Sequence, residues 1–245
     1  MLRRAIVAAA TLLVAWGFAP ARVAAQPVDL LLVLCVDASG SIDPEEFRFQ
    51  REGYAEAIAD PRILKAIASG RCGAIAIAFV EWGTPGGART IVEWGRVHDA
   101  ASAEAYAQRV LSAPRTPQSY NALGDAITHA MALIRSSPIP ADKAVIDVSG
   151  DGPDNRSHTP APLARDEAVR AGITVNALAV VKEGSSLAGR GELLVASYQR
   201  DVIGGPGAFV VVARDYPDFA QAIFNKMIRE IAQAVGTSDT AEISR

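Results

Sequence analysis

The sequence predicts an α/β fold: a doubly wound, mostly parallel six-stranded sheet with helices on both faces. Three observations predict it. Apolar runs with β character alternate with segments of helical spacing, and strands separated by helices call for parallel pairing. The runs are nearly continuous, as at residues 28–36 and 173–181, which suits strands covered on both faces. Half of the 245 residues are hydrophobic, enough for one domain of ~200 residues with a full core.

Residues 1–25 read as a secretory signal peptide. Arg3 and Arg4 give a positive start, and residues 5–19 are apolar but short for a bilayer. Val23-Ala24-Ala25 offers small residues for cleavage before Gln26. Arg3-Arg4 also raises a twin-arginine route, which the surrounding residues fit poorly; an uncleaved membrane anchor is the alternative. Cleavage would leave a domain over 26–236 and a polar, flexible tail at 237–245. The expected location is periplasmic or secreted, with no stable membrane span after cleavage.

The elements follow in order. Residues 28–36 make the first strand, which runs into Asp37-Ala38-Ser39-Gly40-Ser41. Asp43 is an N-cap, Pro44 fits the first helical position and Glu46 completes a capping box. Phe47, Gln50, Tyr54 and Ile58 keep helical spacing until Asp60-Pro61. Residues 63–68 add a helical turn. A strand at 74–80 leads into Glu81-Trp82-Gly83, a Gly-rich turn at 84–87, and a strand at 90–97. So short a connection implies a hairpin, and hence an antiparallel third strand. Asp99 caps a helix over 100–111, a Pro-containing loop spans 112–120, and a second helix spans 121–134. Then come a strand at 143–148, Ser149-Gly150-Asp151-Gly152, a helix at 160–171 and a strand at 173–181. A loop at 184–190, a helix at 192–198 and a strand at 208–213 follow. The last helix starts at Asp215, with Phe219, Ile223, Met227, Ile228 and Ile231 on its apolar face.

Chemistry gathers at strand ends. Asp37, Ser39 and Ser41 place a carboxylate and two hydroxyls on a tight turn at a strand's carboxyl end, the edge where open α/β sheets bind ligands. Such oxygens suit a hard cation, Mg²⁺ or Mn²⁺. A capping Asp with two turn serines is the plainer alternative.

The form Asp-x-Ser-x-Ser resembles the metal-ion-dependent adhesion site of von Willebrand factor A-type domains. Asp151-Gly152 is similar to the family's distal aspartate, and Asn121-Ala122-Leu123-Gly124-Asp125-Ala126 has the shape of its middle metal loop. The likeness covers residues 28–235 and looks like a secreted bacterial branch of that family with no assigned function. It implies strand order 3-2-1-4-5-6 with strand three alone reversed, which sets Asp37 beside Asp151. Two carboxylates that close repel unless a cation intervenes. The resemblance further implies that Ser39 and Ser41 ligate directly, while Asp37 and Asp151 act through bound waters. The middle loop would add one oxygen to Mg²⁺ (or Mn²⁺ or Ca²⁺), and an Asp or Glu from a protein partner would complete the shell.

The middle loop departs from the family: Asn121 stands where Thr is usual. An Asn carbonyl is an acceptable hard-cation ligand; Ser119 and Thr116 are the substitutes, and helix capping is the other role open to Asn121. Glu81, Trp82, Tyr120, Pro153, Asp154, Asn155, Arg156 and His158 are expected on the rim, with Trp82 either a partner anchor or a core plug under the hairpin. Asp147, mid-strand on the side of Ser149 and Asp151, either orients metal ligands or is satisfied by local hydrogen bonds to helix or loop atoms.

Composition excludes other classes. Formal net charge is −3 with Lys and Arg scattered, so nucleic acid is not an expected partner. No Gly-x-Ser-x-Gly elbow, zinc-spaced His pair or Gly-x-x-x-x-Gly-Lys loop is present, so an enzyme is not expected. Cys35 and Cys72 fall near opposite ends of the sheet, too far apart for a disulfide. The expected function is a metal-dependent, adhesion-type protein-binding module. The alternatives are a metal-independent scaffold on the same fold and, behind it, a metal-assisted hydrolase or phosphatase.

Overall fold

A computed structural model of the chain describes residues 25–181, 190–214 and 216–236. The elements are β1 Val28–Asp37, α1 Pro44–Ala59, α2 Pro61–Ala68, β2 Ile75–Trp82, β3 Arg89–Val97, α3 Ala100–Ser112, α4 Leu123–Arg135, β4 Ala141–Gly150, α5 Ala161–Arg170, β5 Thr174–Val180, α6 Arg190–Asp201, β6 Val210–Ala213 and α7 Tyr216–Val235. The six strands form one sheet in the order β3-β2-β1-β4-β5-β6. Only β3 is antiparallel to its neighbour; every other pairing is parallel. The expected fold class and strand order are both found.

Alternation along β1 divides the core. Leu30, Leu32, Leu34 and Val36 face α1, α2, α3 and α7, whereas Val33 and Cys35 face α4, α5 and α6. Every residue of β1 and β2 is buried, the environment that favours continuous apolar strands. Edge strand β3 instead mixes exposed and buried positions. Helix α1 starts with the expected capping box: Asp43 Oδ1 accepts from the Glu45 and Glu46 N–H groups, and Glu46 Oε2 accepts from the Asp43 N–H. Asp99 caps α3.

Boundaries differ where tertiary contacts extend an element. Strand β2 runs on through Glu81 and Trp82, because Asp37 and Trp82 lie in register across β1 and β2 and the Ala38 N–H donates to the Trp82 carbonyl (2.9 Å). Helix α4 begins at Leu123, two residues later than the spacing suggests. Cys35 and Cys72 are both free thiols, as expected. The 1–25 segment (save Ala25), most of the 184–190 loop, Asp215 and the 237–245 tail lie outside the described residues. Among the described residues no helix is long and apolar enough to cross a membrane.

Candidate metal centre

The centre begins where β1 ends. Asp37 Oδ1 accepts from the Ser39 N–H (2.8 Å), folding the chain into a turn that a short carboxylate stabilises locally. Arg115, from the α3–α4 loop, fixes that turn from outside: its Nη2 donates to the carbonyls of Ala38, Ser39 and Ile42 (3.2, 3.3 and 2.7 Å). The Ser39 and Ser41 hydroxyls lie 3.0 Å apart. Ser41 Oγ donates to Asp151 Oδ1 (2.9 Å), and the Asp151 N–H approaches Asp37 Oδ2 (3.4 Å). Parallel pairing of β1 with β4 brings these residues to one edge across 110 positions of sequence.

Asp37 and Ser39 form a buried floor, 1% and 2% exposed; Ser41 is exposed and Asp151 half-buried at the rim. Burial, and after it the Asp151 charge, push the Asp37 pKa up to about 7 against hydrogen bonds from Ser39 and Asp151. A cation among these oxygens would act in the opposite direction.

Asn121 reaches the same edge from the α3–α4 loop. Its N–H donates to Asn155 Oδ1 (3.2 Å), its carbonyl accepts from the Asn155 N–H (2.9 Å), and its side chain packs on Gly152. It does not cap α4: the N-cap is Ala122, and the Leu123 N–H donates to Asp154 Oδ1 (3.1 Å). Asp154 Oδ2 also takes the Ala161 N–H (3.0 Å), so one carboxylate serves two helix starts that lack side-chain caps of their own. The Asn121 amide oxygen is buried without a hydrogen-bond partner. A lone buried acceptor on the side chain that packs against Gly152, the residue after Asp151, has the chemistry of a hard-cation ligand. Of the two substitutes, Thr116 is committed to Glu81, with Oγ1 and N–H both donating to Glu81 Oε2 (2.6 and 2.7 Å). Ser119 is exposed, and its N–H donates to Thr84 Oγ1 (3.0 Å).

Two glycines are required by close approach. A methyl group at Gly150 would stand 2.7 Å from Tyr198 Oη and 2.9 Å from the Trp82 ring; one at Gly152 would run into the Asn121 amide. Tyr198, fully buried on α6, donates to the Gly152 carbonyl (3.0 Å) and so supports the loop carrying Asp151.

The rim expected from sequence needs correction. Glu81 and Trp82 are fully buried. Trp82 lies under Gly150, and Glu81 Oε1 pairs with Arg51 Nη2 (2.6 Å). Tyr120 remains at the rim, exposed, with the Arg156 guanidinium 5.2 Å from its ring centre. His158 is exposed too, its Nδ1 held 2.9 Å from Asp125 Oδ2. Asp125 Oδ1 also accepts the His158 and Thr159 N–H groups, which ties the middle loop to the loop after β4. Asp147 is satisfied by a helix side chain and not by the centre: it pairs with Lys226 of α7, a helix remote in sequence. Among the described residues no three His, Cys, Asp or Glu side chains gather around one point, so a cation at this edge would need hydroxyl or amide oxygens besides carboxylates.

Comparison with known proteins places the fold. A model of the family described as protein of unknown function (DUF1194) matches residues 27–235. No curated protein sequence matches the chain. Among solved structures, the pilus adhesin SpaC from Lactobacillus rhamnosus GG aligns with TM-score 0.60 and 15% identity, over 86% of this chain and 31% of that one. The vWF domain of the type V pili tip protein Mfa5 from Porphyromonas gingivalis aligns with TM-score 0.58 and 11% identity, over 89% of this chain and all of that one (100%). Proximal thread matrix protein 1 from the mussel byssus, with a zinc-occupied MIDAS motif, aligns with TM-score 0.56 and 14% identity, over 85% of this chain and 47% of that one. At these identities the likeness shows a shared von Willebrand factor A-like fold. The chain spans about a third of the SpaC chain.

Proposed function

The chain belongs to the family described as protein of unknown function (DUF1194), and from that premise we propose that it is an exported, metal-dependent protein-binding module of adhesion type. One observation carries the reading: Asp37, Ser39, Ser41 and Asp151 are joined by hydrogen bonds across two strand ends, with the unpartnered Asn121 oxygen on the adjoining Gly152. Ser39, Ser41 and Asn121 would hold the cation directly; Asp37 and Asp151 would hold it through water. The all-oxygen donor set favours Mg²⁺, with Mn²⁺ or Ca²⁺ next. When bound, the cation supplies positive charge that attracts an Asp or Glu side chain of a protein partner.

The chain's own residues do the rest. The buried floor under Asp37 keeps bulk water from screening the carboxylate, and Arg115 and Tyr198 fix the two loops that meet there. Tyr120 and Arg156 add an aromatic and a cationic contact for an acidic segment. The histidines are engaged elsewhere, His158 with Asp125, His129 with Thr90 and His98 beside Asp99, which supports binding over catalysis.

The test is binding of an acidic peptide library to the chain in Mg²⁺, repeated in EDTA. Retained peptides should contain Asp or Glu and should be lost in EDTA. Binding unaffected by EDTA would assign the face to a metal-independent scaffold.

A further inference from the structure

Residues 154–158 follow β4 and fold back over the start of α4, and the polar side chains there hold the loop in place. Asp154 Oδ1 accepts from the Leu123 N–H (3.1 Å) and from Ser157 Oγ, and its Oδ2 accepts from the Ala161 N–H (3.0 Å). Asn155 Oδ1 accepts from the Asn121 N–H (3.2 Å), and Ser157 Oγ accepts from the N–H groups of Gly124 and Asp125 (2.8 and 3.3 Å). His158 Nδ1 lies 2.9 Å from Asp125 Oδ2. Arg156 takes no part in this work.

Arg156 and Tyr120 are both exposed, and the guanidinium stands 5.2 Å from the centre of the Tyr120 ring. Among the described residues Arg156 has no ion pair and its side chain makes no hydrogen bond. Its backbone is nonetheless held from both sides. The Asn155 N–H donates to the Asn121 carbonyl (2.9 Å), and Ser157 is bonded to the first turn of α4. Tyr120 directly precedes Asn121, whose side chain packs on Gly152. The pair therefore adjoins a candidate metal ligand on a loop that does not have to order when a partner arrives. An aromatic face steadies a guanidinium and leaves its N–H edge free to donate.

We propose that Tyr120 and Arg156 form a subsite for a second carboxylate, so that the protein segment recognised carries two acidic side chains, one for the cation and one for Arg156. The subsite rests on the metal-dependent reading proposed above and narrows its partner to a doubly acidic segment. The planar fork of an Arg matches a carboxylate with two parallel hydrogen bonds, each roughly twice as strong as a neutral one. A neutral or basic segment makes no use of an unpaired guanidinium. A divalent cation is matched formally by Asp37 and Asp151, so a second acid finds its counter-charge at Arg156.

The test is calorimetric titration of the whole chain in Mg²⁺ with short Gly/Ser peptides that carry one Asp, or two Asp separated by one to three residues. In the wild type the best-spaced second Asp should tighten binding at least ~10-fold, the worth of a charge-assisted hydrogen bond. In Arg156→Gln it should add less than ~2-fold, the signature of direct coupling in a double-mutant cycle. The one-Asp peptide should bind both chains alike and be lost from both in EDTA. Arg89→Gln, which removes another exposed charge at the start of β3, should keep the full gain. The Arg156 Nε–H resonance should shift with a two-Asp peptide and stay in place with the one-Asp peptide. Equal gains in wild type and Arg156→Gln, a gain lost equally in Arg89→Gln, or no gain in the wild type while the one-Asp peptide still needs Mg²⁺ would each overturn the subsite and leave the metal centre standing. Tighter binding of digalacturonate than of any peptide would assign the subsite to an acidic glycan and overturn a protein partner. No peptide binding in Mg²⁺, or binding that ignores EDTA, would overturn the metal-dependent reading and the subsite with it.

Discussion

Replacing Glu81 by Ala should unfold the support beneath the metal centre. The Glu81 side chain is fully buried and accepts from Arg51 Nη2 (2.6 Å) and from the Thr116 N–H and Oγ1 (2.7 and 2.6 Å). Arg51 is 4% exposed at its side chain, lies against the Phe47 and Phe79 rings, and also donates to the Val110 carbonyl. A guanidinium cannot shed its proton in a protein. Glu81→Ala therefore strands a charge in the core, and breaking a buried pair this way costs ~3–5 kcal/mol. Thr116→Val removes the hydroxyl donor to the carboxylate, worth ~1.5 kcal/mol, along with the acceptor of the Gln118 Nε2 hydrogen bond (3.1 Å). The two costs separate the ion pair from the loop anchor. Urea unfolding followed by circular dichroism reads both, provided the slope is unchanged and only the midpoint moves. The double variant Arg51→Met/Glu81→Leu should recover much of the loss, because it removes both charges and keeps the volume filled. A loss below ~1 kcal/mol for Glu81→Ala would mean that the pair is screened by solvent as exposed pairs are, and would refute the buried support.

Three further outcomes follow. Gly152→Ala drives a methyl group into the Asn121 amide; overpacking of this kind costs ~1–3 kcal/mol, and the Asn121 side-chain amide resonances should move while the distant core stays unchanged in NMR. Asp37 has a folded-state pKa near 7, above its ordinary 3.8, so between those values the folded chain holds the proton more tightly than the unfolded one. Stability in EDTA should then fall as pH rises through that window, Mg²⁺ should remove the fall, and calorimetry at pH 6.5 in two buffers of different ionisation enthalpy should detect proton release on binding. Lys226→Met leaves Asp147 and Glu230 facing each other in the core, with both carboxylate pKa values already raised by burial; the loss should reach ~3–5 kcal/mol at pH 8 and shrink at pH 5 as the carboxylates take up protons, read from urea midpoints at each pH.

What could be read ahead of the structure was local in sequence. Continuous apolar runs marked the strands, Asp43-Pro44-Glu45-Glu46 marked the start of α1, and the Asp37 turn marked the end of β1. Features that depend on distant partners were not legible. Glu81 looked like a rim residue because its partner, Arg51, sits 30 positions earlier on α1. Asp147 looked like a choice between the centre and local hydrogen bonds because Lys226 lies on the last helix, well beyond any motif. Asp154 gave no sign of capping both α4 and α5, since that role requires the loop after β4 to fold back over two helix starts. Asn121 could be ranked as a ligand or a cap from residue type alone; only the shift of the α4 start to Leu123 removed the cap. Glu230 carried no signal at all, as its partner Asn176 lies on β5, 54 positions earlier.

Thermal melting of the whole chain in Mg²⁺ and in EDTA, repeated for Asp37→Ala, tests the metal centre most directly. Mg²⁺ at ~100 times its dissociation constant should stabilise the wild-type chain by ~2.7 kcal/mol and leave Asp37→Ala unmoved. A wild-type melting temperature that is the same in Mg²⁺, Mn²⁺ and EDTA would contradict a cation-binding role for Asp37, Ser39, Ser41, Asn121 and Asp151.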